Sequence, residues 1–110
     1  MEARTEIPPG TLYMLILRTL ARLGPMHGYG IAEHLKALTD DVLQVEEGSL
    51  YPALQRMLVK GWVTGEWAMT ENNRRARFYK LTVAGRKQLA SEISDFERVT
   101  RAIVRVIQPA

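Results

Sequence analysis

The chain has 110 residues, of which 46% are hydrophobic and 25% charged, with no cysteine and a formal net charge of +3. That balance excludes disordered and fibrous classes and is enough for one buried core. Without cysteine there can be no disulfide, thiolate zinc site or cysteine nucleophile, and a reducing compartment, the cytoplasm, is the expected location.

Met1 to Gly10 carries Glu2, Arg4 and Glu6 and lacks the apolar run of a signal peptide. Leu12 to Leu23 is too short and too charged to cross a bilayer, so no membrane partner is expected. Pro8, Pro9 and Gly10 mark the entry to a first helix over about Thr11 to Leu23, with Leu12, Leu15, Ile16, Leu20 and Leu23 on one face. Gly24-Pro25 ends it. A second, shorter helix opens at Gly28 to Gly30 and carries Ile31, Leu35 and Leu38 at helical spacing. Asp40 to Gly48 reads as an acidic connector. Ser49 is then expected to cap a third helix whose apolar stripe is Leu50, Leu54, Met57 and Leu58, with Pro52 in the first turn and Gly61 as a left-handed stop.

Beyond Gly61 the composition turns strand-like over Trp62 to Trp67 and Arg77 to Val83, with the polar, turn-prone run Thr70 to Arg75 between them. A β-hairpin with a basic arm is predicted. From about Ala84 to Ile107 the pattern is helical again, and Leu89, Ile93, Phe96, Thr100, Ile103 and Ile107 alternate spacings of four and three, a heptad seam.

The charge is unevenly distributed. Residues 1–46 hold four Lys/Arg against six Asp/Glu, residues 47–87 hold eight against three, and residues 88–110 hold three of each. The middle segment therefore carries +5, which attracts a polyanion by neutralising phosphates, although a solvated basic face would have the same composition.

Three short helices followed by a hairpin is the order of a winged helix-turn-helix, in which the third helix enters the major groove and the hairpin flanks it. The expected fold is mainly α with a small β-hairpin: residues 1–83 form the winged helix-turn-helix and residues 84–110 a dimerisation helix. On the third helix Ser49, Pro52, Ala53, Arg56 and Lys60 are expected opposite the apolar stripe, with Tyr51 and Gln55 at its borders. Tyr51 and Gln55 suit base edges or phosphate, and Arg56 and Lys60 suit phosphate. Arg74, Arg75, Arg77 and Lys80 on the hairpin supply the second half of a basic footprint.

Catalytic machinery is not visible. His27 and His34 lie seven apart with no acidic partner at metal spacing, and read as surface or capping residues; no metal or cofactor is expected. Asp40-Asp41 and Glu46-Glu47 are adjacent pairs in a connector, and no nucleophile elbow or phosphate-binding loop occurs. The rival to a DNA binder is a winged module that turns its basic face to RNA or an acidic protein.

Met26-His27-Gly28-Tyr29-Gly30-Ile31 and Gly48-Ser49-Leu50-Tyr51-Pro52-Ala53-Leu54 resemble the PadR family of transcriptional regulators. Lys60-Gly61-Trp62-Val63, Asn73 to Thr82 and Ala84-Gly85-Arg86 match the same family in order, so that the resemblance spans roughly Pro8 to Ile107. It implies a homodimer, held mainly by the C-terminal helix, that binds a two-fold operator on double-stranded DNA and represses transcription. It also implies DNA contacts for Tyr29, Ser49, Tyr51 and Pro52 and phosphate or minor-groove contacts for the hairpin arginines; the alternative for Tyr29 and Tyr51 is packing in the core. The chain ends after one C-terminal helix, like the short members of the family. Some members bind phenolic acids or flat hydrophobic drugs at the dimer interface; the aromatics on offer for such an effector are Trp62, Trp67 and Phe96, each with a packing role of its own.

Overall fold

The computed structural model describes residues 5–8 and 10–109. Its elements run β1 (Thr5–Glu6), α1 (Leu12–Leu23), β2 (Met26–His27), α2 (Gly28–Leu38), β3 (Leu43–Gln44), α3 (Glu47–Val59), β4 (Val63–Met69), β5 (Arg75–Leu81) and α4 (Val83–Ile107). Pro9, read as part of the helix entry, lies outside the described residues, as do residues 1–4 of the first expected domain and residue 110 of the second.

The first three helices pack around one core because each turns its apolar stripe inward. Ile16, Leu17 and Leu20 of α1, Ile31 and Leu35 of α2, and Leu50, Leu54 and Met57 of α3 are buried together, and Val63, Tyr79 and Leu81 of the sheet close the cluster. Leu89 of α4 completes it, with Ile93 packed at its margin.

Capping explains where the helices begin and end. His27 precedes α2, and its Nδ1 accepts from the Gly30 N–H at 2.9 Å, so of the two roles expected for it, surface or capping, it has the second. The end of α3 is a complete Schellman motif: Gly61 takes φ +75°, its N–H donates to the Leu58 carbonyl at 3.1 Å, and Trp62 N–H donates to Met57 at 3.0 Å. The same geometry ends α2 without a glycine, with Asp40 at φ 49° and Asp41 N–H donating to the Lys36 carbonyl at 2.8 Å.

Four local expectations are corrected. Glu46, not Ser49, is the N-cap residue of α3, and it caps with no side-chain hydrogen bond; Glu47 and Gly48 are already helical, which shortens the acidic connector. Pro52 consequently lies past the first turn, inside the helix, where the Gly48 carbonyl loses its usual donor at an exposed position. Ala53 is fully buried, because three residues after Leu50 and four before Met57 it falls on the apolar stripe itself. The hairpin strands reach further towards the tip than composition suggested: they pair from Val63↔Leu81 to Met69↔Arg75, which puts Arg75 in a strand and leaves Val83 to start α4.

Two pairings were not foreseen. β2 lies antiparallel to β5, with Met26 opposite Tyr79 and His27 opposite Phe78, giving a three-stranded sheet of order β2-β5-β4; β1 lies parallel to β3. The sheet is tied to α4 by Thr82, whose hydroxyl accepts from Gly85 N–H at 3.0 Å and donates to the Gly61 carbonyl at 2.7 Å. Gly85 has to be glycine there, since a Cβ would collide with the Trp62 carbonyl oxygen.

Candidate nucleic-acid interface

The inward stripe of α3 leaves a solvent-facing surface made of Glu47, Gly48, Ser49, Tyr51, Pro52, Gln55, Arg56, Val59 and Lys60. Pro52, Gln55 and Val59 form its centre by their spacing, and Val59, 89% exposed, was absent from the sequence reading. Its large side chain on an otherwise wet face was hidden by its neighbour Leu58, which completes the inner stripe.

One flank of this surface turns to α2 and the sheet. The Tyr51 ring lies over Gly28, where a Cβ would come within 2.8 Å of it, so the small residue opening α2 makes room for the tyrosine. Tyr51 is nonetheless 43% exposed and reaches the neighbourhood of Tyr79 on β5. Burial pushes the Tyr79 phenol up from its ordinary pKa, the nearby Arg77 cation opposes this, and Tyr51 adds to it. Tyr29, in the first turn of α2, projects into solvent and stacks loosely on His27 with ring centres 6.4 Å apart.

The other flank turns to α1. Arg56 donates through Nε to the Tyr13 hydroxyl, Tyr13 packs edge-on against Trp62, and the Lys60 ammonium lies 5.1 Å from the centre of the Trp62 ring. Both cations are thereby held on aromatic rings with their charged ends still in water. Trp62 is thus part of this support and not of an open cavity.

On the wing, strand alternation separates the four expected cations. Arg75 and Arg77 share the face of Tyr79 and Leu81, Lys80 points to the opposite face beside Thr64, and Arg74 stands at the turn. The turn itself is closed by Thr70 N–H to the Arg74 carbonyl at 2.7 Å, with Asn73 at φ 60°. Arg77 is half-buried across Gly65, whereas Arg74, Arg75 and Lys80 are exposed. Among the described residues the only ion pair is Arg98 with Asp95 on α4; the exposed Glu47, Glu66 and Glu71 lie on α3 and the wing but pair with none of the cations there.

The seam residues of α4 divide. Leu89 is largely buried in the chain's own core, with Ile93 packed at its margin. Phe96, Ile103 and Ile107 are exposed, Thr100 half-exposed, and Val99 and Val106 widen the same apolar stripe. Every described residue from Arg101 onward is exposed. Beside the base of this helix, a groove of about 460 Å³ runs between α1 and α4, lined by Arg18, Ala21, Leu89, Ala90, Ile93 and Glu97 among others.

Among the described residues no three His, Asp or Glu side chains gather as a metal site, and no helix is long and apolar enough to cross a membrane.

Comparison with known proteins agrees with this architecture. Residues 16–91 match the model of the transcriptional regulator PadR-like family. A transcriptional regulator from Clostridium thermocellum superposes with a TM-score of 0.82 at 24% identity, covering 90% of this chain and 95% of that one. A putative transcriptional regulator from Thermoplasma acidophilum gives a TM-score of 0.75 at 27% identity, covering 92% and 94%. A PadR-like transcriptional regulator from Bacillus cereus gives 0.76 at 24%, covering 92% and 95%. With the wing, the exposed third helix and the long last helix all in place, the chain belongs to the PadR-like family of DNA-binding transcriptional regulators.

Proposed function

We propose that this regulator binds a near-palindromic operator as a homodimer and represses transcription by occupying the promoter. The observation that carries the reading is electrostatic: the outer face of α3 and the wing present Arg56, Lys60, Arg74, Arg75 and Lys80 to solvent, with no carboxylate paired to any of them among the described residues. The acids on the same elements, Glu47, Glu66 and Glu71, pair with none of these cations, and eight Lys/Arg against three Asp/Glu over residues 47–87 leave the surface net positive. A phosphate backbone supplies the missing counter-charge.

In this reading Tyr29, Ser49, Tyr51, Pro52 and Gln55 face the major groove, with Gln55 suited to a bidentate contact with adenine. Arg56 and Lys60 meet one phosphate strand, and Arg74, Arg75, Arg77 and Lys80 the backbone beside the wing. The distal half of α4 supports the dimer. Phe96, Val99, Ile103, Val106 and Ile107 are too contiguous an apolar stripe to leave in water, and a second copy of the helix covers it. Two-fold symmetry then sets two copies of α3 about 34 Å apart, one turn of duplex. A phenolic or flat hydrophobic effector would enter beside Phe96, the aromatic side chain of this stripe, and alter the angle between the paired helices. The protein works where the chromosome is, in the cytoplasm.

The test is selection of bound duplexes from a random pool by purified protein, with affinities measured at two salt concentrations. An enriched palindrome with a steep salt dependence is expected. Sequence-blind, weak binding would favour the alternative of a winged module for RNA or an acidic protein.

A further inference from the structure

The outermost row of α3 is Gly48, Pro52, Gln55 and Val59, spaced four, three and four residues apart and so in line along the helix, opposite the buried Leu50, Leu54 and Met57. Ser49, Arg56 and Lys60 run along one side of the row and Tyr51 lies on the other. No atom stands within 4 Å of where a Cβ on Gly48 would be, so the start of the row is open to close approach. Val59 ends the row. Its side chain is almost wholly exposed and takes no part in the core, and valine is among the weaker helix formers, so the chain's own folding gains nothing from it there. A single apolar residue in water is ordinary. This one is set apart by its position, in line with Gln55 and beside two unpaired cations.

We propose that Val59 is a specificity-determining residue that recognises a thymine through its C5 methyl group, one or two base pairs from the pair that Gln55 contacts. The inference rests on the DNA reading above and adds to it the identity of a base. Charge selects the occupant: an apolar protein surface laid over Val59 would desolvate Arg56 and Lys60 without partners, whereas a duplex sets phosphates beside the bases that Val59 would meet. Chemistry selects the base. A valine pressed against the donors and acceptors of a base edge would strip them of water and give no hydrogen bond in return, and the thymine methyl is the apolar group that the major groove offers. Reach sets the position: the four residues from Gln55 to Val59 span about 6 Å of helix axis, less than two base-pair steps of about 3.4 Å. The contact carries no charge, so the preference for thymine is insensitive to salt while overall affinity is not.

The experiment uses the full chain and a duplex selected as above, with each thymine of the half-site replaced in turn by deoxyuridine, which removes the methyl group and nothing else. At one thymine the replacement should weaken wild-type binding about fourfold, the worth of one buried methyl group. Val59→Ser has a helix propensity close to that of valine and changes no charge. It should bind the thymine duplex about fourfold more weakly than the wild type, with the same melting temperature and the same slope of log affinity against log salt, and should hold the thymine and uracil duplexes equally. Val59→Ile should keep the preference for thymine. A half-site without thymine, a wild type indifferent to uracil at every position, or a Val59→Ser variant that still distinguishes uracil from thymine would overturn the methyl contact while leaving the DNA reading intact. Absence of any duplex binding by the wild type would overturn both.

Discussion

Arg56 of α3 donates its Nε–H to the Tyr13 hydroxyl of α1 at 2.6 Å, and its guanidinium carbon lies 5.6 Å from the centre of the Tyr13 ring. A cation on the exposed face of α3 is therefore aimed by the helix behind it. The bond uses only Nε, so the two terminal nitrogens of the guanidinium stay available for a phosphate. Since α1 also packs along α4, the tyrosine links the helix proposed to pair the subunits with the helix proposed to read DNA. Tyr13→Phe keeps the ring and removes the acceptor. Operator affinity should fall roughly two- to tenfold, the worth of one hydrogen bond, with little change in melting temperature. In a double-mutant cycle, Tyr13→Phe should have no further effect once Arg56 is alanine; additive losses would show that the tyrosine acts elsewhere.

Gln55 and the wing arginines are expected to fail in different ways. Gln55→Ala should narrow the difference in affinity between operator and random duplex, because a base-edge contact is lost. The pair Arg74→Ala and Arg75→Ala should weaken binding to both duplexes alike and flatten the salt slope by about two. Titrations of each variant on both duplexes separate the two outcomes.

Within α4, position decides whether a substitution harms folding or association. Leu89→Ala removes a buried side chain from the core and should cost about 2–5 kcal/mol, read as a lower melting temperature. Ile103→Asp touches nothing buried within the chain and should leave secondary structure intact while shifting sedimentation from dimer to monomer. A dimer that survived Ile103→Asp would place the interface away from this stripe.

Gly85→Ala drives a methyl group into the Trp62 carbonyl, a backbone atom that cannot rotate away. Overpacking of this kind costs about 1–3 kcal/mol. For a chain of this size each 1 kcal/mol corresponds to about 4–8 °C in Tm, so a thermal melt by circular dichroism reads the loss directly.

Tyr79 gives the stability an alkaline edge. Its pKa is raised in the folded chain, chiefly by burial, so the folded state holds the phenol proton more tightly than the unfolded state does. The associated stability is fully present below the ordinary tyrosine pKa of about 10 and is lost as the pH rises through the folded value. Tyr79→Phe should remove that part of the loss, which denaturant titrations at pH 8 and above 10 would show.

Much of this architecture was legible in the amino-acid sequence, and the reasons are local. Helix positions follow from apolar spacing, the stop at Gly61 from its tolerance of positive φ, and the PadR-like family from short motifs in fixed order. Boundaries were less secure: Glu47 and Gly48 carry no mark that distinguishes the first turn of α3 from the connector before it, and composition alone read Arg75 as turn when cross-strand pairing with Met69 makes it strand.

The tertiary structure decided what no single segment contains. The pairing of Met26–His27 with β5 is a two-residue strand with no period to detect, and it exists only because the hairpin offers it an edge. Burial of Ala53 and Leu89 depends on which neighbours arrive across the core, so a face assignment from one helix could not settle either. The grip of Tyr13 on Arg56 joins residues 43 apart in sequence, and the exposure of Trp67 beside Arg75 follows from strand register. Spacing within an element reports how it meets water; contacts between elements are set by the packing of all of them at once.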